Sequence, residues 1–274
     1  MSFDDLKGKT VAITGGGGVL CGAFAEAFVE AGARVALLDI RGEKAEEAAA
    51  KAGGGAIGVE CDVLSASSLE AAAGEIRRRL GPIDILVNGA GGNVAAATTG
   101  VEQLGDPAEL EQSFYALDLE PFQKTFDLNF MGTLLPSQKL TLDMVERRKG
   151  AIINISSMNA FRPLSKIPAY SAAKASVSNF TEWLAVHLAP VGIRVNALAP
   201  GFFLTEQLLY LAKDAQGEWT PRYQRVHAQT PMGRLGNPDE LKGAMLFLAS
   251  ERLASFITGV VLPVDGGFNA NSGV

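Results

Sequence analysis

With 274 residues, 47% of them hydrophobic, and no Pro-rich, Ser-rich or like-charged stretch dividing it, the chain is expected to form one α/β domain over residues 1–274. A net charge of −6 argues against nucleic acid as a partner, because phosphate binding needs clustered Lys and Arg. The opening MSFDDLKGKTVAITGG has no basic region followed by an apolar core, and no apolar run reaches the roughly 18 residues that span a bilayer, so a soluble, cytoplasmic protein with no membrane partner is expected.

The apolar run Thr10 to Thr14 leads into glycines, a helical pattern from Ala23 to Ala31, and a second apolar run from Arg34 to Ile40. Ala45 to Gly55, rich in Ala and Gly, reads as a helix end and turn. The alternation continues through Ala56 to Val59, the helical stretch Ser68 to Leu80, Ile83 to Asn88, the helical stretch Phe122 to Arg148, and Ala151 to Ser156. Then come a helix from Ala169 to Leu188, the run Ile193 to Ala197, a helix near Pro238 to Ser250 and a last strand near Val260 to Val264. Continuously apolar strands alternating with helices predict a doubly wound parallel sheet covered on both faces. Two less regular stretches, about 93–121 and 202–238, follow predicted strands and are candidate walls of a substrate pocket. Cys21 and Cys61 lie beside strand-like segments and read as buried thiols rather than a bridge; His187 and His227 are too isolated for a metal site, and none is expected.

Thr14 to Gly22 reads TGGGGVLCG, between a strand and a helix. Glycines there let the backbone approach a pyrophosphate, whose charge the helix N-terminus favours, although glycines also make ordinary tight turns. Gly15, Gly17, Gly18 and Leu20 are the candidate contacts. The next strand ends at Asp39, whose carboxylate can accept both ribose hydroxyls of an adenosine and would repel a 2′-phosphate, which favours NAD. Arg41, two residues on, can pair with a 2′-phosphate and keeps NADP open.

These features, with CDV at Cys61, NGAG at Asn88, Asn129 in DLNFMGT, ISS at Ser156, YSAAK at Tyr170, IRVNALAPG ending at Gly201 and VDGG at Asp265, run in order along nearly the whole chain. In them the sequence resembles the short-chain dehydrogenase/reductase family. The resemblance implies a Rossmann-type α/β fold, with Asp62 and Val63 at the adenine, Asn88, Ala90 and Gly91 along the cofactor, and Pro200 to Thr205, including Gly201, Phe203 and Thr205, at the nicotinamide end. Two departures stand out. The family's usual glycine spacing is TGxxxGxG, whereas here the last glycine, Gly22, comes one residue later, and NGAG stands where NNAG is common.

Tyr170 and Lys174 sit at i and i+4, so on a helix they project from one face. A tyrosine hydroxyl is a poor base at neutral pH, and a nearby ammonium with oxidised nicotinamide is expected to lower its pKa. Ser157 ends the predicted strand GAIINIS and matches the family's catalytic serine, which holds the substrate oxygen; Asn129 matches the residue that helps a water chain link the lysine to solvent. By the same resemblance Tyr170 and Lys174 also touch the cofactor.

The length between Asn88 and Asn129, together with TGGGGVLCG, GAGGN and FDLNFMGTLLPSQ, resembles a subgroup assigned to D-mannonate oxidoreductase, which interconverts D-fructuronate and D-mannonate. Arg162 and Lys166, between Ser157 and Tyr170, and Arg222 in the later loop suit a substrate carboxylate, and Asn93 a sugar hydroxyl. Arg225 and His227 lie in the same later loop. A polyol, gluconate-type or acyl-ketone reductase, or a non-catalytic dinucleotide-binding protein, are the competing readings. The family usually assembles as dimers or tetramers, so a homo-oligomer is expected.

Overall fold

The computed structural model describes residues 2–205, 212 and 216–272. Seven strands form one sheet: β1 (Thr10–Thr14), β2 (Arg34–Asp39), β3 (Ile57–Glu60), β4 (Ile85–Asn88), β5 (Gly150–Ile155), β6 (Ile193–Pro200) and β7 (Val261–Val264). Their order is β3-β2-β1-β4-β5-β6-β7, and every pairing is parallel. The chain starts at the centre, winds outward to β3, then returns to place β4 beside β1. The strand order therefore reverses between β1 and β4, where Thr14 and Asn88 are in register, and ligands of open α/β sheets bind at such a reversal. This is a doubly wound, Rossmann-type α/β fold.

Period-two alternation along the strands divides the core into two halves. Val11, Ile13, Val35, Leu37, Val87 and Ile153 meet Phe24 and Phe28 of α1 (Val19–Glu30), while Ala12, Leu38, Leu86, Ile152 and Val195 meet Leu69 and Ile76 of α3 (Ala66–Arg79) on the opposite face. With both faces covered, the inner strands read as continuous apolar runs. β1 and β4 are buried throughout, whereas every residue of the edge strand β7 is only half-buried.

Four local departures from the sequence reading have physical causes. Helix α1 begins at Val19, directly after Gly18, because its first turn carries cleft-facing residues that break the apolar periodicity. Ala45 to Gly55 lies mostly within a full helix, α2 (Gly42–Ala52), ended by Gly53 at φ +72°. The stretch read as one helix from Phe122 to Arg148 is two, α4 (Leu119–Lys139) and α5 (Leu142–Arg147). Pro136 lies inside α4 near its end, where it removes one backbone donor, and the break follows at Leu140 and Thr141. Within the second irregular stretch, Thr220 caps a further helix, α7 (Pro221–Gln229). Helix α6 (Pro168–Leu188) carries Tyr170 and Lys174; a 3₁₀ turn with an Asn237/Glu240 capping box precedes α8 (Lys242–Ala249), and α9 (Glu251–Ala254) follows.

Candidate active site

A cleft of about 650 Å³ opens at the carboxyl ends of the central strands. The glycine turn forms one wall. Gly15 sits at φ +67°, and a Cβ there would lie 2.8 Å from the Ala90 Cα, so the turns after β1 and β4 touch through bare backbone. The Gly17 amide donates to Asp39 Oδ2 at 3.1 Å and the Arg41 amide to Asp39 Oδ1 at 3.1 Å, which fixes the carboxylate at the end of β2. The Arg41 guanidinium stands 3.7 Å from the same Oδ1 and is largely exposed. No acidic side chain occupies the first turn of α1, so its positive end stays favourable to an anion.

Gly15, Gly18, Leu20, Asp39, Asp62, Val63, Ala90, Gly91, Tyr170, Lys174 and Thr205 all line this cleft. Five other residues named for the cofactor lie elsewhere. Gly17 stands behind Asp39. Asn88 is buried and donates to Asn154 Oδ1 and Ser137 Oγ, tying β4 to β5 and α4. Pro200 is buried at the end of β6, and Gly201 packs on Asp265, whose Cα would be 2.7 Å from an added Cβ. Phe203 is buried over Gly236 and bridges to it as a short strand pair. An apolar ring gains more by leaving water than by edging a polar cleft, which is why Phe203 turns inward.

The two departures from the family spacing meet at one contact. The would-be Cβ of Gly22 faces open space, so Gly22 is not the close-approach glycine. Counted from Thr14 without an insertion, the later glycines of TGxxxGxG fall on Val19 and Cys21. Cys21 is buried, and its Sγ lies 2.3 Å from where a Cβ on Gly89 would be. The thiol thus occupies the room that glycine in NGAG, rather than asparagine, leaves open. Burial pushes Cys21 up to about 12 and Cys61 up to about 11, so neither is a thiolate at neutral pH, and both line the cleft.

Helix α6 presents Tyr170 and Lys174 side by side, the ammonium 5.5 Å from the tyrosine ring centre. Lys174 is only 4% exposed, its Nζ donates to the Ile155 carbonyl at 2.8 Å, and burial drives its pKa down to about 8. The Ser157 hydroxyl lies close enough to Tyr170 to lower its pKa, and it caps the turn that follows, accepting from the Asn159 amide at 3.2 Å. Burial raises Tyr170 above its ordinary value against the opposing effect of Ser157. Ser156, next to Ser157, is spent on the Lys174 carbonyl and Ser178.

Asn129 is fully buried; its Nδ2 donates to the carbonyls of Gly92 and Thr125, both at 2.7 Å, and its Oδ1 accepts from the Gly92 amide at 3.2 Å. Its side chain locks the turn after β4 onto α4, and its backbone carbonyl accepts from Thr133. A Cβ on Gly91 would stand 2.5 Å from Asn129 Oδ1 and 3.2 Å from Lys174 Nζ, which places that turn against both residues.

Of the residues read as substrate contacts, Arg162, Lys166 and Arg222 line one hollow of about 430 Å³, joined by Arg225. Asn93 is not among them; its amide is exposed and donates to Thr98. His227 is exposed and lies near Tyr223, on which Trp219 stacks at 4.0 Å. Among the described residues no group of His, Cys, Asp and Glu is arranged to hold a metal, and no helix is long and apolar enough to cross a membrane.

Residues 20–269 match the family model described as enoyl-(acyl carrier protein) reductase. The chain belongs to the short-chain dehydrogenase/reductase family. It is 47% identical to UxuB of Bacillus subtilis, an oxidoreductase of uncharacterised function, over 99% of this chain and 98% of that one. It superposes with TM-score 0.94 on a Haemophilus influenzae protein solved with bound NAD and provisionally named a D-mannonate oxidoreductase, at 47% identity over 98% of each chain. The 3-oxoacyl-[acyl-carrier-protein] reductase FabG of Aquifex aeolicus is 36% identical, over 96% of this chain and 98% of that one. As a short-chain dehydrogenase/reductase, this protein is an NAD(P)-dependent oxidoreductase, and its cleft suits a dinucleotide: bare backbone at Gly15, an acid fixed at Asp39 and a buried cation at Lys174.

Proposed function

We propose that this short-chain dehydrogenase/reductase uses NAD to interconvert a sugar acid and its keto form, the preferred pair being D-mannonate and D-fructuronate. One observation carries the choice of an acidic substrate: Arg162 and Lys166, from the segment between Ser157 and Tyr170, share a hollow with Arg222 and Arg225. A carboxylate meets charge-assisted donors there, while an uncharged ketose or acyl chain makes no use of the cations of Lys166 and Arg222. The likeness to the provisionally named Haemophilus protein supports the same choice.

In this reading Asp39 holds the adenosine ribose, with Gly15, Gly18 and the start of α1 at the pyrophosphate and Asp62 and Val63 at the adenine. The dinucleotide, when bound, gives or takes the hydride. Tyr170 exchanges the proton at the substrate oxygen, and Ser157, beside the tyrosine, holds that oxygen in line while charge develops on it. Lys174 keeps a positive charge behind Tyr170 and toward the ribose. Asn129 keeps the Gly91–Gly92 turn against Lys174.

Steady-state rates for D-fructuronate and D-fructose with NADH test the acidic preference. The carboxylate should raise kcat/KM by about 10- to 100-fold, the worth of one or two hydrogen bonds to a charged group. Equal rates, or turnover of a 3-oxoacyl thioester instead, would remove the sugar-acid assignment and leave the hydride chemistry standing.

A further inference from the structure

The four cations of the basic hollow are not equivalent. Arg162 donates through Nε and Nη2 to the Asn269 carbonyl, each at 3.3 Å. Arg225 pairs with Glu102 at 2.5 Å. Among the described residues, neither the Lys166 ammonium nor the Arg222 guanidinium has a hydrogen-bond or ion-pair partner. Glu102 comes from the long stretch between β4 and α4, and the same stretch is fastened to the Lys166 backbone by the Thr99 amide, which donates to the Lys166 carbonyl at 3.0 Å. One loop therefore both anchors the segment bearing Lys166 and delivers the carboxylate that occupies Arg225.

We propose that Glu102 is a specificity-determining residue that sets the charge count of this hollow, leaving Lys166 and Arg222 to take a single carboxylate and denying a second cationic seat to a dianion. The proposal rests on the sugar-acid reading above. A bidentate carboxylate suits Arg222, with Lys166 adding a point charge beside it. A second acidic group on the same substrate would find Arg225 already neutralised, and would face the carboxylate of Glu102. A monocarboxylic sugar acid pays neither penalty, while an aldarate or a phosphorylated sugar acid pays both.

Titration calorimetry of the NADH-loaded enzyme with D-mannonate and with D-mannarate tests this. Glu102→Gln keeps the size of the side chain and removes its charge, freeing Arg225. The variant should bind D-mannarate at least about tenfold more tightly than wild type, with D-mannonate changed less than about threefold, as expected for one added charge-assisted hydrogen bond. The double variant Glu102→Gln/Arg225→Gln should lose that gain, which a merely loosened loop would not. Parallel shifts for both sugar acids, or a gain that survives removal of Arg225, overturn the proposal. Failure of wild type to bind either sugar acid counts against the sugar-acid reading itself. The charge comparison then uses acetate and malonate in thermal-shift titrations, where a malonate-only gain in Glu102→Gln supports the role of Glu102 and equal responses overturn it.

Discussion

Replacing Lys174 by methionine should change how the stability of the protein responds to pH. Burial holds the folded-state pKa of Lys174 at about 8, against an ordinary 10.5. Between those values the unfolded chain binds a proton that the folded chain has released, so the folded state gains stability as pH rises through that window. Below pH 8 the side chain is charged in both states and the cost of burying the charge is fully present. At about 1.4 kcal/mol per pKa unit the whole effect is roughly 3 kcal/mol, and about 2 kcal/mol of it falls between pH 7.5 and pH 10. Methionine keeps the length of the chain and loses both the charge and the bond to the Ile155 carbonyl. The lost bond shifts stability by a nearly constant amount, so it does not mimic the slope. Urea unfolding of both proteins without cofactor, at several pH values across this span, measures the difference directly, since other titrating groups cancel. Wild type should gain about 2 kcal/mol on the variant between pH 7.5 and pH 10. A difference that stays flat over that range would refute the assignment of Lys174 as a desolvated cation.

The contact between Cys21 and Gly89 predicts a reciprocal pair of substitutions. Gly89→Asn should cost about 1–3 kcal/mol by overpacking, and Cys21→Gly in the same molecule should restore part of it, the remainder reflecting the Thr14 carbonyl 2.8 Å from the new Cβ. Strictly additive losses in denaturant unfolding would show that the thiol does not hold that space. Asp39→Ser should raise the ratio of NADPH to NADH in kcat/KM at least about tenfold, because the repelling carboxylate goes while Arg41 stays; an unchanged ratio would take Asp39 out of cofactor choice. Asn129→Ala leaves the Gly92 amide and carbonyl without their side-chain partner and should cost about 2–4 kcal/mol in urea unfolding. A loss under 1 kcal/mol would mean that water replaces the amide at little cost.

The alternation of apolar runs and helical patterns was enough to read the sheet, because strands buried on both faces leave an unmistakable signature in their composition. Boundaries were harder to read where a second demand competes with the core. The start of α1 serves the cleft, so Val19 is left exposed and the periodicity is hidden. Phe203 and Gly201 sit in a motif that points to the cofactor, yet their local packing turns them to Gly236 and Asp265. Nothing in the order of residues shows such a turn. Cys21 and Gly89 lie far apart in the chain, and only the parallel pairing of β1 with β4 makes their two departures a single event. The basic hollow was partly legible, since Arg162 and Lys166 lie between Ser157 and Tyr170. The Glu102–Arg225 pair joins two irregular stretches whose meeting no local pattern encodes.

The most direct test of the central claim follows NADH absorbance on addition of D-fructuronate to wild type and to Tyr170→Phe, with NADH binding measured in both by fluorescence. Wild type should oxidise NADH, and the phenylalanine variant should lose at least about 100-fold in rate, the usual contribution of a positioned proton donor, while binding NADH as before. Turnover that survives in Tyr170→Phe would contradict the proton-transfer role, and tight NADH binding without turnover in wild type would contradict the sugar-acid reductase itself.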